Sequence, residues 1–230
     1  MPFTNEWHEQ YKNEDMKEKT ILCYGDSNTW GFVPGSYVKE TDFVERFSRG
    51  ERWPNILQAL LDDSYEVISE GLNGRTTNID DPDMCSRNGL SSLQMILDTH
   101  EPLDLVILLL GANDCKVHLS RTAEDISKGI DELCEIISKS VCGVDLMSAP
   151  KIVLVTYPLP PHENGFEGGF LGAIDKIKQL NQYILSICEQ NDYLLFDAAS
   201  YISLSTEDGI HLDAEGHQLL AQKLYDLISR

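Results

Sequence analysis

Two distant polar stretches of the sequence carry side chains that could perform acyl transfer. Ser27 follows the apolar run at residues 20–23 and comes just after Gly25, where a strand is expected to end in a sharp turn. The segment Asp208-Gly209-Ile210-His211 places a carboxylate three residues before a histidine. A serine hydroxyl is a weak nucleophile, so it needs a base that takes its proton and a group that orients the base. The pattern predicts Ser27 as nucleophile, His211 as base and Asp208 as the orienting acid.

The order of apolar and polar segments predicts the elements that bring these side chains together. We expect strands at residues 20–23, 65–70, 105–110, 151–156 and 193–197, alternating with amphipathic helices, the last of which is capped by Asp213. This alternation predicts an α/β fold, a three-layer αβα sandwich around a flavodoxin-like five-stranded parallel sheet. In its commonest strand order, 2-1-3-4-5, ligands bind beyond the carboxyl ends of strands two, one and three. Ser27, the Gly71 turn and Asn113 each follow one of these strands.

The connection to the histidine is long enough for this arrangement. Strand five lies three strand spacings, about 14 Å, from strand one. The step from Asp197 to Asp208 can span up to about 36 Å when extended. The two ends of the chain can therefore meet at one crevice.

Composition and charge exclude some classes of protein. The chain has 230 residues, with 18 lysines and arginines against 38 aspartates and glutamates, a formal net charge of -20. Nucleic acid, which carries the same sign of charge, is therefore an unexpected partner. We expect an N-terminal arm at residues 1–19 and a single domain at residues 20–230.

The sequence also carries signals about location. The first residues lack a secretory signal pattern, and we find no transmembrane span and expect no membrane partner. The six cysteines are scattered without a CxxC pair, which is typical of free thiols in a reducing compartment. These observations predict a cytoplasmic protein.

Four spaced blocks of the sequence resemble the SGNH (GDSL-type) hydrolase superfamily. They are Gly25-Asp26-Ser27-Asn28, the isolated Gly71, Gly111-Ala112-Asn113-Asp114 and Asp208-Gly209-Ile210-His211, which occur in the family's order over residues 20–217. The stretches at residues 70–77 and 102–107 are similar to the bacterial arylesterase and acyltransferase/perhydrolase branch. One position departs from the family pattern, because Asn28 stands where the family usually has leucine.

The resemblance implies a serine carboxylester hydrolase for small or short-chain acyl esters that works through an acyl-enzyme. Ser27, His211 and Asp208 would have the roles given above. The N–H groups of Ser27 and Gly71 and the side chain of Asn113 would form the oxyanion hole. The resemblance implies no metal or organic cofactor, a small-molecule ester as partner, and the option of a homo-oligomer, since the branch includes oligomers.

Several other residues invite a functional or a structural interpretation. Trp30 and Phe32 could form an apolar entrance together with the loop at residues 157–170, and Arg75 could touch substrate or, as we favour, brace the acidic loop that follows it. The acidic segment at residues 80–83 lacks the spacing of a calcium loop, so we expect a solvated turn. His118 and His217 have no matched partners in the sequence, and we expect structural or surface roles for them.

Two alternatives stay open at this point. The same site could serve an acyltransferase or perhydrolase, in which an alcohol or hydrogen peroxide captures the acyl group. A non-catalytic flavodoxin-like binding domain would show the same alternation of strands and helices. No GxGxxG or Walker-type loop follows the first strand, which counts against a nucleotide-binding module.

Overall fold

A five-stranded parallel sheet forms the centre of the protein. The computed structural model describes residues 18–163 and 168–229. The strands are β1 Lys19–Gly25, β2 Tyr65–Gly71, β3 Leu105–Leu109, β4 Lys151–Val155 and β5 Leu194–Phe196. Their order is β2-β1-β3-β4-β5, with every neighbouring pair parallel. The predicted α/β class, strand number and strand order are confirmed.

Helices cover both faces of this sheet. They are α1 Ser27–Trp30, α2 Trp53–Leu61, α3 Gly89–His100, α4 Ala123–Lys139, α5 Ala173–Asn191 and α6 Ala214–Ile228. Helix α2 packs against α6, whereas α4 packs against both α3 and α5. The predicted three-layer sandwich is therefore confirmed.

Local sequence explains where the longer helices begin. Thr122 and Asp125 form a reciprocal capping box at the start of α4. Asp213 caps α6 by accepting the Gly216 N–H at 2.8 Å, and Pro54 occupies the first turn of α2, where a missing N–H costs nothing. These caps satisfy N–H groups that have no partner inside a helix.

The core lies between the sheet and the two helical layers. Every side chain of β3 is buried, as expected for a parallel strand covered on both faces. Strand β1 is buried from Ile21 onward. These central strands give the polar residues at their carboxyl ends a rigid support.

The connection between α1 and α2 is mostly irregular. It contains only isolated bridges, Phe32 with Arg46 and Val38 with Phe43, and one 3₁₀ turn, Arg49–Glu51. Phe32, Tyr37, Asp42 and Val44 of this connection line the cavity described below.

The sequence predicted an N-terminal arm at residues 1–19. Residues 1–17 of the predicted arm lie outside the described residues, and Lys19, the arm's predicted last residue, already begins β1.

None of the helices within residues 18–163 and 168–229 combines the length and the apolar character needed to cross a bilayer.

Candidate active site

Three side chains form a continuous hydrogen-bonded chain at the carboxyl edge of the sheet. His211 Nε2 lies 2.9 Å from Ser27 Oγ, and His211 Nδ1 lies 2.7 Å from Asp208 Oδ2. Ser27 and His211 are separated by 184 residues in the sequence. Both also line one cavity, so the structure brings together the predicted nucleophile, base and orienting acid at a place that a small molecule can reach.

Asp208 is held as a carboxylate beside the imidazole. Burial alone would raise the pKa of this carboxyl, but hydrogen bonding and attraction to His211 and the N–H groups of Ile210 and His211 outweigh it and lower the pKa. A carboxylate can only accept a hydrogen bond, so the proton of the neutral ring resides on Nδ1. Nε2 is then left as the acceptor that faces Ser27.

The ring of His211 is also held from the side. Phe32 stacks on it with ring centroids 3.9 Å apart and an interplanar angle of 10°. Such packing restricts rotation of the imidazole between its two nitrogen partners. Phe32 thereby belongs to the cavity wall, as predicted.

The turn that carries Ser27 follows from its neighbours. Ser27 is the first residue of α1, and the Asp26 carboxylate caps this short helix by accepting the Asn28 N–H at 3.0 Å. Gly71 packs against the end of α1, where a Cβ would lie only 2.2 Å from the Trp30 nitrogen. The absence of a side chain at Gly71 therefore lets the nucleophile turn sit directly on the end of β2.

The structure places Gly71 differently from the predicted oxyanion donor. The Leu72 N–H donates to the Gly25 carbonyl of β1 at 3.2 Å, so the alternation of a strand turns the Gly71 N–H away from β1. Among the described residues that line the cavity, Gly71 is missing, whereas Asn73 and Gly74 are present. Sequence reasoning missed Gly74, although its position in a two-glycine turn was the available signal.

Asn113 lies where the prediction placed it. It opens a 3₁₀ turn, Asn113–Cys115, after β3, and it lines the cavity. Its Nδ2 donates to the Arg75 carbonyl at 3.1 Å, which fixes the amide and leaves its second hydrogen without an acceptor among the residues described here. The neighbouring Asp114 is fully buried and accepts hydrogen bonds from Thr77, which ties this turn to the one after β2.

Trp30 does not form the expected entrance, and Arg75, for which bracing was favoured over a substrate contact, has a bracing role at a different place. The Arg75 side chain is buried, and its Nη1 donates to the carbonyls of Gly25 and Glu70 while its guanidinium covers the Tyr24 ring at 4.1 Å. Arg75 thus braces the ends of β1 and β2 rather than the acidic loop. Trp30 lies under the Arg46 guanidinium at 4.6 Å, and within the described part of the chain neither Trp30 nor Arg75 lines the cavity.

The cavity next to Ser27 has a volume of about 530 Å³ and a mixed lining. Aromatic and aliphatic side chains contribute one part of it, namely Phe32, Val44, Met84, Tyr157, Phe170 and Ile210. Charged side chains contribute another part, namely Asp42, Asp81, Asp83, Arg87, Lys116 and His118. A ligand in this cavity would meet both apolar surface and hydrogen-bonding groups.

The charged part of the lining corrects two predictions. Asp81 was expected in a solvated turn, but its side chain is buried and pairs with Lys116 Nζ at 2.8 Å and with His118 Nε2 at 2.9 Å. Burial would raise the pKa of Asp81, but these two partners lower it. His118 therefore has a partner, which the sequence did not reveal because 37 residues separate the two.

The same cluster contains a set of potential metal ligands. Ligand atoms of Asp81, Asp83 and His118 lie within 4.8 Å of one another. The Lys116 ammonium, however, already neutralises Asp81 in this arrangement. The cluster is therefore complete as a network of ion pairs and gives no reason to invoke a metal.

Comparisons with known proteins show which proteins this chain resembles. The family model described as GDSL-like Lipase/Acylhydrolase matches residues 23–219. A search of curated proteins found no match. The aryl esterase of M. smegmatis is 38% identical, with 92% of this chain and 98% of that chain covered and a TM-score of 0.84.

Two solved structures from Sinorhizobium meliloti are similar to the same extent. One is described as a carbohydrate acetylesterase and is 37% identical, with coverage of 92% of this chain and 98% of that chain and a TM-score of 0.84. The other, described as a carbohydrate acetylesterase family member, is 35% identical, with coverage of 91% and 97% and a TM-score of 0.80.

Proposed function

Because the chain belongs to the GDSL-like lipase/acylhydrolase family and is a carboxylester hydrolase, we propose that Ser27, His211 and Asp208 are its catalytic residues. Ser27 Oγ attacks the ester carbonyl carbon while His211 Nε2 takes the hydroxyl proton. The tetrahedral intermediate collapses, and the alcohol leaves with the proton from Nε2. Water then attacks the acyl-enzyme by the same route and releases the acid and free Ser27.

The observation that carries this proposal is the chain of contacts from Ser27 through His211 to Asp208. Its two links of 2.9 and 2.7 Å are within the range for proton transfer and for orientation of the base. The chain ends at a cavity, so the hydroxyl is accessible to substrate. The family assignment and this geometry together favour a hydrolase over a non-catalytic binding domain.

The proposed oxyanion hole consists of the Ser27 N–H, the Gly74 N–H and Asn113 Nδ2. Ser27 begins α1, and the N–H groups of a first helical turn have no partner within the helix. Gly74 has a positive φ of 78°, and its N–H makes no hydrogen bond within the described residues. Preorganised donors of this kind stabilise the negative oxygen without rearrangement during the reaction.

The proposed substrate is a short-chain acyl ester with a polar leaving alcohol. The cavity of about 530 Å³ falls within the size range of small-molecule sites. Its charged lining supports a leaving group rich in hydroxyls, such as an acetylated sugar, because such groups can donate to the exposed carboxylates of Asp42 and Asp83. The similarity to carbohydrate acetylesterases supports the same substrate class, and that to an aryl esterase supports simple aryl esters as test substrates.

The direct test is hydrolysis of p-nitrophenyl acetate and butyrate by the wild type and by Ser27→Ala. Loss of the serine in subtilisin lowers kcat about 10⁶-fold, which sets the expected scale. Ser127→Ala is a matched control, because Ser27 and Ser127 are both 7% exposed and Ser127 Oγ only bonds the Glu124 carbonyl within α4. Equal activity of Ser27→Ala and the wild type would overturn the proposal.

Acyl transfer by the same site stays a prediction. Phe32, Tyr157 and Phe170 contribute apolar surface next to Ser27, which favours binding of an alcohol acceptor. The fraction of acyl groups transferred to alcohol is measured by product analysis with p-nitrophenyl acetate as donor, in water that contains increasing concentrations of 1-butanol. Ester formation supports transfer, whereas free acid as the sole product at every alcohol concentration contradicts it.

Location and assembly are also predictions. All six cysteines are free thiols, and five of them are buried, which supports a reducing compartment such as the cytoplasm. Fractionation of cells that express the protein from its own gene tests the location. Light scattering coupled to size-exclusion chromatography tests the homo-oligomer.

A further inference from the structure

Asn28, the residue directly after the nucleophile, holds the backbone on both sides of His211. Its Nδ2 donates to the Ile210 carbonyl at 3.0 Å, and its Oδ1 accepts the Leu212 N–H at 2.7 Å. These two bonds cross 182 and 184 residues of sequence. A single buried amide therefore joins the nucleophile turn to the segment that carries the base.

The orientation of this amide is fixed by its partners. A backbone N–H can only donate and a carbonyl can only accept, so Oδ1 must face Leu212 and Nδ2 must face Ile210. The second hydrogen of Nδ2 goes to Tyr157 Oη at 2.5 Å. Both N–H donors and the oxygen of the amide are thus bonded in one orientation.

A buried network holds Asn28 in place from the other side. Tyr157 Oη donates to the Asp26 carboxylate at 3.0 Å, and Asp26 Oδ1 accepts the backbone N–H of Asn28. The backbone of Tyr157 is in turn fixed by Asn181 of α5, with bonds of 2.8 and 2.9 Å. Asn28 is therefore held by Asp26 and Tyr157 as well as by the His211 segment.

Other contacts from outside the loop reach Asp208 Oδ2, which accepts the Gly35 N–H at 3.3 Å, and the Thr206 carbonyl, which lies 3.2 Å from His162 Nε2. The remaining backbone hydrogen bonds next to His211 arise within the loop itself. Asp208 accepts the N–H groups of Ile210 and His211, and the His211 carbonyl accepts the Ser205 N–H at 2.8 Å. Those bonds shape the loop, but they do not set its distance from the nucleophile. The side chain of Asn28 links the backbone of this loop to the turn that carries Ser27.

We infer that Asn28 is a positioning residue that sets the distance between Ser27 Oγ and His211 Nε2. It does not line the cavity, so it acts through His211 rather than on substrate. A misplacement of about 1 Å in a catalytic group can cost about 10²-fold in rate. The inference rests on the proposed roles of Ser27 and His211.

The test compares two variants with a matched control. Asn28→Leu has a similar volume and removes all three side-chain bonds, whereas Asn28→Asp keeps the acceptor for Leu212 and loses the two donations. Gln58→Leu is the control, because Gln58 clamps β2 in the same way, accepting the Val67 N–H at 2.6 Å and donating to the Tyr65 carbonyl at 2.7 Å. Gln58 lies on α2, away from the cavity lining.

Steady-state kinetics with p-nitrophenyl acetate and thermal unfolding are measured for all three. We expect kcat to fall about 10²-fold for Asn28→Leu and at least about tenfold for Asn28→Asp, with KM changed less than about threefold. Gln58→Leu should lower Tm and leave kcat unchanged. If Asn28→Leu does not fold, Asn28→Asp decides the question by the same criterion.

Three results would overturn the inference. These are a wild-type kcat in every folded Asn28 variant, a loss that appears only in KM, and an equal loss of kcat in Gln58→Leu. Failure of the proposed function has a different signature, because Ser27→Ala would then keep the wild-type activity. The two ideas are therefore tested separately.

Discussion

Substitution of Asp208 by asparagine reverses the hydrogen bond that orients the base. Asp208 Oδ1 accepts the N–H groups of Ile210 and His211, and Oδ2 accepts from His211 Nδ1 and from the Gly35 N–H at 3.3 Å. In Asp208→Asn the single remaining oxygen is expected to keep the two backbone donors. The amide nitrogen then faces Nδ1 and donates to it, which moves the ring proton to Nε2 and prevents it from accepting the Ser27 proton.

The size of the effect follows from these contacts. A flipped asparagine would restore the tautomer and accept the Gly35 N–H, but it would give up the two bonds from Ile210 and His211, a net cost of about 1 kcal/mol. Loss of the carboxylate also removes attraction to the imidazolium, about 4 kcal/mol for unit charges about 4 Å apart at an effective dielectric constant of about 20. The total of about 5 kcal/mol corresponds to nearly a 10⁴-fold decrease in kcat, which is similar to the loss that the same change causes in a chymotrypsin-type protease.

The assay is the rate of p-nitrophenol release at saturating ester, with Tm measured in parallel. Asp213→Asn is the control, because Asp213 caps α6 two residues after His211 and asparagine caps a helix equally well. We expect wild-type kcat for Asp213→Asn. If Asp208→Asn keeps more than about a hundredth of the wild-type kcat while its fold is intact, the orienting role of Asp208 is refuted.

Three further predictions test other parts of the site. Asn113→Ala removes one oxyanion donor and should lower kcat about 10²- to 10³-fold with little change in KM, as steady-state kinetics would show. Burial raises the pKa of Asp26 from 3.8 to about 6, so its ionisation should lower the free energy of unfolding by about 3 kcal/mol as pH rises from about 4 to 7. Urea titrations should show that Asp26→Asn removes this decline; an unchanged pH dependence would contradict it. Gly71→Ala places a Cβ 2.2 Å from the Trp30 nitrogen and should lower both Tm and kcat, whereas Gly50→Ala, which meets no described atom within 4 Å, should change neither.

The sequence was sufficient for the elements and for the chemistry that short motifs encode. The unbroken apolar run of β3 has few interpretations other than a buried strand, and the capping residues Thr122 and Asp213 mark helix starts by local hydrogen bonds. Ser27 and His211 were predictable because each belongs to a block with a recognisable neighbour. Parallel strand order then placed both blocks at the same edge of the sheet.

The parts that the sequence did not reveal depend on contacts between distant residues. Asp81 looked like a member of an exposed acidic turn, because nothing local indicates that Lys116 and His118 come to meet it. The choice between Gly71 and Gly74 depends on the path of one turn relative to β1. The side-chain partners of Asn28 lie between 129 and 184 residues away, so its departure from the family pattern could be noticed but not explained.

Covalent labelling identifies the nucleophile of the protein without any substitution. The wild type is treated with a fluorophosphonate, and the modified residue is identified by intact mass and peptide mapping. We expect one adduct per chain, located on Ser27. Activity should fall in proportion to labelling, and Ser27→Ala should form no adduct. An adduct on another residue that accompanies inactivation, or full activity of a completely labelled Ser27, would contradict it.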